Sequence, residues 1–410
     1  MFLSNVYLNF IDMRIEGGKT IMKKISLLLA LLLVFSVFAV GCGGGGEEGA
    51  ETENIIKIGV FEPLTGENGG GGQQEVDGIM YANTVKPTVM IGDVEYTVEL
   101  VVSDNQSDKT MAVTAANYLI DQGVVAVIGS YGSGVSIAAG EVFSDAGIPA
   151  IGASCTNPQV TSANEWYFRV CFLDPFQGTV MANFAVQQGA STAAVITQLG
   201  DDYSTGLGNF FMEAFKDLTG DDGAIVVNQT FQQNQADFNA ILQNVKAANP
   251  DVIFAPSSIT TAPLIIKQAR ALGIEATIMG GDTWENITIV ENAGADAEGI
   301  VLSTFFDAGL ADSSQLAKDF VDGFSQAYYT PVPAVSALGY DAYMVALDAI
   351  ERAGATDGAS IQAALNETDN FEGVTGTVTF DTLGDAQKNM AVIKTVENGE
   401  FVFLQAVTVD

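Results

Sequence analysis

Three hydroxyl-bearing residues follow two predicted β-strands and are placed where they could bind a small anion. Ser133 opens a predicted helix after the strand Val124 to Ile128, and Ser154 and Thr156 follow the short strand Ile148 to Ile151. The first turn of a helix has unpaired backbone N–H groups, which together with a serine hydroxyl can hold a carboxylate without a formal positive charge. Taken alone, these residues favour a structural interpretation, in which Ser133 caps its helix and the other two form a turn.

Other residue patterns fail to support catalysis. The 410-residue chain contains no histidine, which excludes Ser-His-Asp and Cys-His nucleophiles and histidine-ligated metals. Gly69 to Gly72 lacks the Gly-Lys-Ser/Thr ending of a phosphate loop and is interpreted as a flexible loop. Gly129 to Gly134 has the wrong spacing for a dinucleotide site, although it could bind a smaller anion. The pairs Asp201-Asp202 and Asp221-Asp222 are typical of solvated acids, so we expect no catalytic residue, metal or cofactor.

The charge balance also limits the possible partners. Fifty acidic residues against 16 basic ones give a net charge of −34, which repels nucleic-acid phosphates and anionic lipid headgroups. A hydrophobic content of 48% is too high for a disordered acidic chain. The sequence therefore predicts a folded protein that does not bind nucleic acid.

The amino-terminal region is typical of an export signal. Lys23-Lys24 precedes the uncharged run Ile25 to Val40, which is shorter than the roughly 20 residues of a membrane-spanning helix. The segment ending in Gly41-Cys42 looks like a bacterial lipobox, in which Cys42 becomes lipidated, and a plain transmembrane anchor is the alternative. We expect an upstream extension plus signal peptide over 1–41, with Met22 as the true start, then a flexible linker over 42–54. The protein would be extracytoplasmic and lipid-anchored.

The rest of the chain alternates between strands and helices, and its continuous apolar strands predict parallel sheets covered on both faces. The fold class is therefore α/β, with two doubly wound lobes. The first lobe includes strands Ile55 to Phe61, Tyr96 to Val102, Val124 to Ile128 and Ile148 to Ile151. The second includes strands Ala193 to Thr197, Ala224 to Thr230, Val252 to Ala255, Ala276 to Met279 and Gly299 to Ser303. Cys155 and Cys171 are either a disulfide of an exported protein or two buried apolar residues.

Several segments, in this order and spacing, resemble the substrate-binding lipoproteins of branched-chain amino-acid ABC transporters. They are Gly59 to Gly66 (GVFEPLTG), Val127 to Ser133 (VIGSYGS), Ala146 to Ala150 (AGIPA), Ser154 to Pro158 (SCTNP), Phe168-Arg169 and Ala297 to Gly299 (AEG). The resemblance implies a type I periplasmic-binding fold, with two lobes that close on a ligand about a three-segment hinge. It places the hinge near Phe172 to Asp174, Ser303 to Phe305 and Val374 to Gly376. The lobes would then be 55–173 with 304–374, and 174–303 with 375–410.

A free amino acid needs anion donors for its carboxylate and an acid for its ammonium group. Ser133, Ser154 and Thr156 would supply the donors from the first lobe, and Asp282 would supply the acid from the second. Asp282 could instead cap a helix over Trp284 to Asn292. The resemblance also places Tyr203 at the ligand, with ordinary packing at a helix start as the alternative. Tyr131 and Trp284 either form a wall of the side-chain pocket or belong to the core.

No arginine or lysine lies beside these residues in the sequence, which favours an apolar ligand, with leucine, isoleucine or valine as the first guess. Two departures from the family pattern concern the ligand pocket. Gly69 to Gly72 replaces a segment that often carries an aromatic residue, and Ser258 stands where relatives can carry one. Trp284 leaves larger aromatic ligands open.

The resemblance implies a monomer that delivers its ligand to permease subunits, with ATP hydrolysed by separate subunits. One alternative is a sensory ligand-binding protein of the same fold, and neighbouring permease or kinase genes would separate the two functions. Another is a binding protein for a different small carboxylate or amide, such as an aromatic compound or urea. An enzyme on an α/β scaffold is a third class, but no residue spacing supports it.

Overall fold

The computed structural model describes residues 54–328 and 330–408. The predicted signal peptide, Cys42 and nearly all of the linker lie outside these residues. Within the two described ranges, no helix combines the length and the apolar character needed to cross a membrane.

The first lobe is built on a six-stranded sheet. Its strands are Ile55–Glu62 (β1), Thr88–Ile91 (β2), Val94–Asp104 (β3), Ala126–Ile128 (β4), Ala150–Gly152 (β5) and Tyr167–Arg169 (β6). Their spatial order is β2-β3-β1-β4-β5-β6, and only the β2–β3 pair is antiparallel. The connecting helices are Gly69–Val85 (α1), Lys109–Asp121 (α2) and Ser133–Asp145 (α3).

The chain then builds most of the second lobe. The helices are Asp174–Gln187 (α4), Asp202–Thr219 (α5), Asn239–Ala248 (α6), Ala262–Ala271 (α7) and Ile287–Ala293 (α8). The strands are Ala193–Gln198 (β7), Ile225–Phe231 (β8), Val252–Phe254 (β9), Thr277–Gly280 (β10) and Val301–Thr304 (β11). All six residues of β7 are buried, as expected for a parallel strand covered on both faces.

The last quarter of the chain contributes to both lobes. It comprises Gln315–Tyr328 (α9), Ala334–Ala353 (α10), Gly358–Asn366 (α11), Phe371–Gly373 (β12), Gly376–Val378 (β13), Met390–Glu397 (β14) and Glu400–Thr408 (β15). Helix α10 packs along α1 of the first lobe. Strands β14 and β15 extend the second sheet antiparallel, in the order β15-β14-β11-β10-β9-β7-β8. The predicted α/β fold with two parallel-dominated sheets is thus confirmed.

The glycine run Gly69 to Gly72 is not the predicted flexible loop, because it forms the first turn of α1. Two of these glycines are required by close packing. A Cβ atom on Gly71 would lie 2.4 Å from the ring of Tyr131, and one on Gly72 would lie 2.0 Å from the Pro63 carbonyl oxygen. The run therefore lets the start of the helix approach its neighbours closely.

Three passages connect the two sheets. The first follows β6 and the second follows β11, where the rings of Phe172 and Phe305 lie 4.3 Å apart between their centroids. The third lies between Ala386 and Met390, because Gly384 and Ala386 still hydrogen-bond to Arg169 at the edge of the first sheet. This position is later in the chain than Val374 to Gly376. The lobe boundaries remain a prediction, and we propose that the third passage between the lobes lies near residue 387.

The two cysteines of the described chain are free and buried. The Cys171 thiol donates to the Cys155 carbonyl oxygen, with 3.7 Å between the heavy atoms. Both therefore fit the alternative of small buried residues.

Candidate ligand-binding site

A small cavity lies between the two sheets, at the carboxyl ends of their strands. Its empty volume is about 420 Å³, including the solvent at its mouth. Its lining residues are Asn68, Tyr131, Gly132, Ser133, Ser154, Gln198, Asp201, Tyr203, Ser258, Asp282 and Thr283. Most of them lie at the end of a strand or within a few residues after it, which is where open parallel sheets bind ligands. The first lobe supplies one wall and the second lobe the other.

Ser133 occupies the position predicted for it, as the first residue of α3 with Gly132 at the N-cap. It does not cap the helix through its side chain, because its Oγ atom accepts a 3.1 Å hydrogen bond from the backbone N–H of Asn157. The helix therefore presents its free first-turn N–H groups and the Ser133 hydroxyl to the cavity. A carboxylate fits such a set of donors.

Ser154 and Thr156 differ in their positions. Ser154 lines the cavity, and its hydroxyl donates to Oε1 of the buried Glu75. Thr156 is fully buried and is absent from the lining, and its carbonyl oxygen accepts the N–H of Asp174 at 2.9 Å. The structure thus brings Ser133 and Ser154 to one cavity but places Thr156 behind its surface.

The loop that carries Ser154 is held by one buried arginine, a feature that the sequence did not reveal. Arg169 is fully buried and donates to the carbonyl oxygens of Cys155 at 2.7 Å and Asn157 at 2.6 Å. Its charge is balanced by Asp385, whose Oδ1 atom lies 2.5 Å from Nε. With two of its carbonyl groups fixed in this way, the loop has a defined path past the cavity.

Asp282 lies in the opposite wall, in the second lobe, and is 3% exposed. Its Oδ1 atom accepts hydrogen bonds from Gln177 Nε2 at 2.8 Å and from the Tyr203 hydroxyl at 2.9 Å. Burial raises the pKa of its carboxyl group to about 6. Asp282 does not cap the following helix, because α8 begins at Ile287 and Asn286 is its N-cap. A buried carboxylate without a cation is suited to an ammonium group.

Of the three aromatic residues predicted for the site, two line the cavity and one does not. Tyr131 and Tyr203 line the cavity, one from each lobe. Trp284 is fully buried and absent from the lining, and a Cβ atom on Gly280 would lie 2.1 Å from its ring. Trp284 is therefore a core residue, which the alternative interpretation allowed. The aromatic spacing alone could not distinguish the two positions.

Asn68, Gln198, Asp201, Ser258 and Thr283 complete the lining, and sequence reasoning assigned none of them to the ligand. Asp201 is not a freely solvated acid, because it caps α5 by accepting the Ser204 N–H at 2.6 Å, and burial raises its pKa to about 6. Its neighbour Asp202 pairs with Lys109 at 2.7 Å. Asp221, by contrast, is exposed, as predicted. Asp201 and Ser258 follow strands β7 and β9, and these positions could have predicted that both residues line the cavity.

The two lobes touch at the mouth of the cavity. Lys109 of the first lobe pairs with Asp202 of the second, and Asn157 Nδ2 donates to the Asp202 carbonyl oxygen at 2.8 Å. Asn68 Oδ1 accepts the N–H of Ile259 at 3.2 Å. These contacts describe a closed arrangement of the lobes. Among the described residues, no group of histidine, cysteine, aspartate and glutamate side chains has a metal-binding arrangement.

Two sheet-based lobes with a polar gap between their strand ends define a bilobal protein that binds small molecules. The chain belongs to the periplasmic binding protein family, and the sequence model of that family matches residues 55–400. It is 28% identical to Leu/Ile/Val-binding protein homolog 3 of Brucella melitensis over 355 residues, which cover 85% of this chain and 94% of that protein.

Two solved structures support the same assignment. The leucine-binding protein LivK from Thermotoga maritima is 38% identical, with a TM-score of 0.82, over 86% of this chain and 99% of that one. LivJ from Streptococcus pneumoniae, a branched-chain amino acid transporter substrate-binding protein in complex with isoleucine, is 30% identical with a TM-score of 0.78. That match covers 87% of this chain and 99% of LivJ. The resemblance and the type I periplasmic-binding fold predicted from the sequence are confirmed.

Proposed function

We propose that this protein captures a free amino acid between its two lobes and delivers it to the permease subunits of an ABC transporter. Leucine, isoleucine, valine or a similar apolar amino acid is the proposed ligand. The observation that carries this proposal is the placement of Ser133 and Asp282 in one cavity, on walls from different lobes. A closed form would present the ligand to the permease, and ATP would be hydrolysed by separate subunits.

The geometry supports recognition of a zwitterion. Helix α3 directs its first-turn N–H groups and the Ser133 hydroxyl toward a negative group. Asp282 offers a buried carboxylate that already accepts two hydrogen bonds, from Gln177 and Tyr203. An ammonium group would supply the positive charge that this carboxylate lacks among its described partners. One small molecule with both charges could therefore satisfy both walls.

The relatives support a branched-chain ligand, because they are described as proteins that bind leucine, isoleucine or valine. The lining of this cavity favours a second candidate, an amino acid whose side chain forms hydrogen bonds. Among the described lining residues, Asn68, Gln198, Asp201 and Ser258 are polar, and none of the residues is aliphatic. The two candidates differ in the ligand and share the transport function.

The remaining parts of the proposal concern the cellular setting. The family consists of binding proteins, and we propose that this chain likewise has no catalytic activity. We propose a lipid anchor at Cys42, an extracytoplasmic location at the bacterial cell membrane, and a monomeric state. A sensory protein of the same fold is the competing function, and genes for a permease and an ATPase beside this one would favour transport.

Thermal-shift screening against the twenty amino acids tests the proposal. A ligand at 100 times its dissociation constant adds about 2.7 kcal/mol to the free energy of unfolding, which gives a clear rise in Tm. We expect selective stabilisation by leucine, isoleucine or valine. Stabilisation by serine, threonine or asparagine instead would select the second candidate, and no shift with any amino acid would contradict the function.

A further inference from the structure

Two buried carboxyl groups lie directly behind the cavity and have no role in the proposed function. Glu62 ends strand β1 and Glu75 lies in helix α1, and both are fully buried. Glu62 Oε2 accepts the backbone N–H of Tyr131 at 2.6 Å, and Glu75 Oε1 accepts the hydroxyl of Ser154. Tyr131 and Ser154 both line the cavity. The acid pair therefore fixes two points of its wall.

The two acids also interact with each other. Glu62 Oε1 and Glu75 Oε2 receive no hydrogen bond from any N–H or O–H donor among the described residues. The two carboxyl groups lie within hydrogen-bonding distance of each other. Two ionised carboxylates would repel each other at this separation, whereas one proton held between them satisfies both oxygens. Because Glu62 Oε2 accepts an N–H and Glu75 Oε1 accepts a hydroxyl, the shared proton lies between Glu62 Oε1 and Glu75 Oε2.

The surroundings of the pair favour retention of this proton. Burial raises the pKa of Glu62 well above its usual value and that of Glu75 to about 7. The titratable groups that interact electrostatically with the pair are Tyr131, Cys155, Tyr167 and Asp282. None of these groups can carry a positive charge. From helix α10, the residues that meet this part of α1 are Ser336 and Gly339, which are uncharged.

This arrangement determines what the Ser154 hydroxyl can offer a ligand. A hydroxyl has one hydrogen, and Ser154 uses it to donate to Glu75. Toward any other partner, the Ser154 oxygen can then act only as a hydrogen-bond acceptor. Ser154 and Asp282 both line the same small cavity, and the charge of Asp282 raises the pKa of Glu75 behind Ser154.

We propose that Glu62 and Glu75 share one proton and act as positioning residues that make the Ser154 hydroxyl an acceptor for the ammonium group of the ligand. This inference rests on the proposed function, and it changes the role predicted for the Ser154 hydroxyl, which was donation to the carboxylate. The negative charge on Glu75 would add to that of Asp282 behind the ammonium group.

The role of Ser154 can be tested with a pair of ligands. Binding of L-leucine and of 4-methylpentanoate, which keeps the carboxylate but lacks the ammonium group, is measured by titration calorimetry and competition. Ser154→Ala should weaken L-leucine about tenfold, as expected for a lost charge-assisted hydrogen bond, and should change 4-methylpentanoate by less than about threefold. Ser133→Ala should weaken both. Equal losses of both ligands in Ser154→Ala would overturn the acceptor role.

The shared proton can be detected separately, by infrared spectroscopy of the full-length protein without ligand. At pH 8 an ordinary carboxyl group is ionised, so the infrared band of a protonated carboxylic acid should come from buried acids. These are the Glu62–Glu75 pair and Asp174, whose pKa burial also raises well above its usual value. The part of the band that belongs to the pair should be lost in Glu62→Gln and kept in Asp221→Asn, a control at an exposed acid. Glu62→Gln should also retain more affinity for L-leucine than Glu62→Leu, because an amide can still donate to Glu75. A band in Glu62→Gln equal to that of the wild-type protein would overturn the shared proton.

The two experiments separate this inference from the proposed function. If the wild-type protein binds none of the twenty amino acids, the function fails and the ammonium role of Ser154 fails with it. The infrared difference between the wild type and Glu62→Gln would still be present in that case. If amino acids bind but Glu62→Gln leaves the band unchanged, only the inference fails. Thermal unfolding of each variant checks that a loss of binding does not reflect a loss of folding.

Discussion

The Tyr203 hydroxyl donates a 2.9 Å hydrogen bond to Asp282 Oδ1, although the two residues are 79 positions apart in the sequence. Tyr203 lies in the first turn of α5. Asp282 follows strand β10 and is separated from it by one glycine. A Cβ atom on that residue, Gly281, would lie 2.3 Å from the tyrosine oxygen. The glycine therefore permits the contact, which fixes one carboxylate oxygen of Asp282 at the cavity.

Replacement of Asp282 should selectively weaken amino-acid binding. Asp282→Asn keeps the shape of the side chain but removes the charge that we assign to the ligand ammonium group. Loss of one partner of a buried charge pair costs about 2–5 kcal/mol, so we expect at least a thirtyfold increase in the Kd for L-leucine. Titration calorimetry measures it. Asp221→Asn removes one exposed charge as a control, and similar effects of the two substitutions would refute the assignment.

The stability of the ligand-free protein should decrease as the pH rises from 4 to 7. Burial raises the pKa of Asp282 from 3.8 to about 6, so the folded protein binds this proton more tightly than the unfolded chain. Its contribution is fully favourable below the unfolded pKa and is lost as the pH rises through the folded value. Asp282→Asn should therefore gain stability relative to wild type at pH 7.5 but not at pH 4. Urea unfolding at both pH values measures this, and an equal difference at the two pH values would exclude it.

Arg169 should be essential for both stability and the binding loop. Arg169→Met leaves the buried Asp385 without its cation and frees the carbonyl groups of Cys155 and Asn157. Breaking such a buried pair costs about 3–5 kcal/mol of unfolding free energy. Lys318→Met, at an exposed ion pair, should cost less than about 1 kcal/mol. Denaturant unfolding checks both values, and a small loss for Arg169→Met would show that the loop is held by other contacts.

A methyl group on Gly71 should disturb the cavity wall. In Gly71→Ala the new Cβ atom would meet the Tyr131 ring at 2.4 Å, so the ring or the helix start must move. We expect a loss of about 1–3 kcal/mol in unfolding free energy, together with weaker L-leucine binding. Gly70→Ala is the matched control, because its nearest neighbour is the Asn286 side-chain amide at 3.2 Å. Thermal unfolding measures the stability of both variants, and calorimetry measures their affinity for L-leucine. Equal losses in Gly71→Ala and Gly70→Ala would contradict the packing argument.

The lipid anchor proposed at Cys42 can be tested in cells. Removal of its thiol in Cys42→Ser prevents thioether formation, so the exported protein should appear in the soluble fraction. Cys155→Ser is the control, because that thiol is buried in the folded protein. Fractionation and immunoblotting measure the distribution. Membrane retention of Cys42→Ser equal to wild type would argue against lipidation at this residue.

Local sequence patterns were sufficient to predict the two α/β lobes. Continuous apolar strands such as Ala193–Gln198 specify buried parallel strands, and polar residues after strand ends meet at one edge of a sheet. The assignment of Ser133 and Asp282 to one cleft also needed the family resemblance, because the residues taken alone favoured a structural role. Both now line one cavity, and their ligand-binding roles stay a prediction.

Other features depend on contacts between distant parts of the chain. The closeness of Gly71 to the Tyr131 ring, and the burial of Trp284 away from the lining, follow from tertiary packing that local spacing does not encode. The same holds for the contact between Glu75 and Ser154, which are 79 residues apart. Composition also gave no sign that acids in this strongly negative chain would be buried.

A crystal structure of the protein with bound L-leucine tests the central claim most directly. We predict that the ligand carboxylate lies within about 3.2 Å of the Ser133 hydroxyl or the first N–H groups of α3, and the ammonium group within about 3.2 Å of the Asp282 carboxylate. A ligand bound elsewhere, or in this cavity without contact to Asp282, would contradict the account.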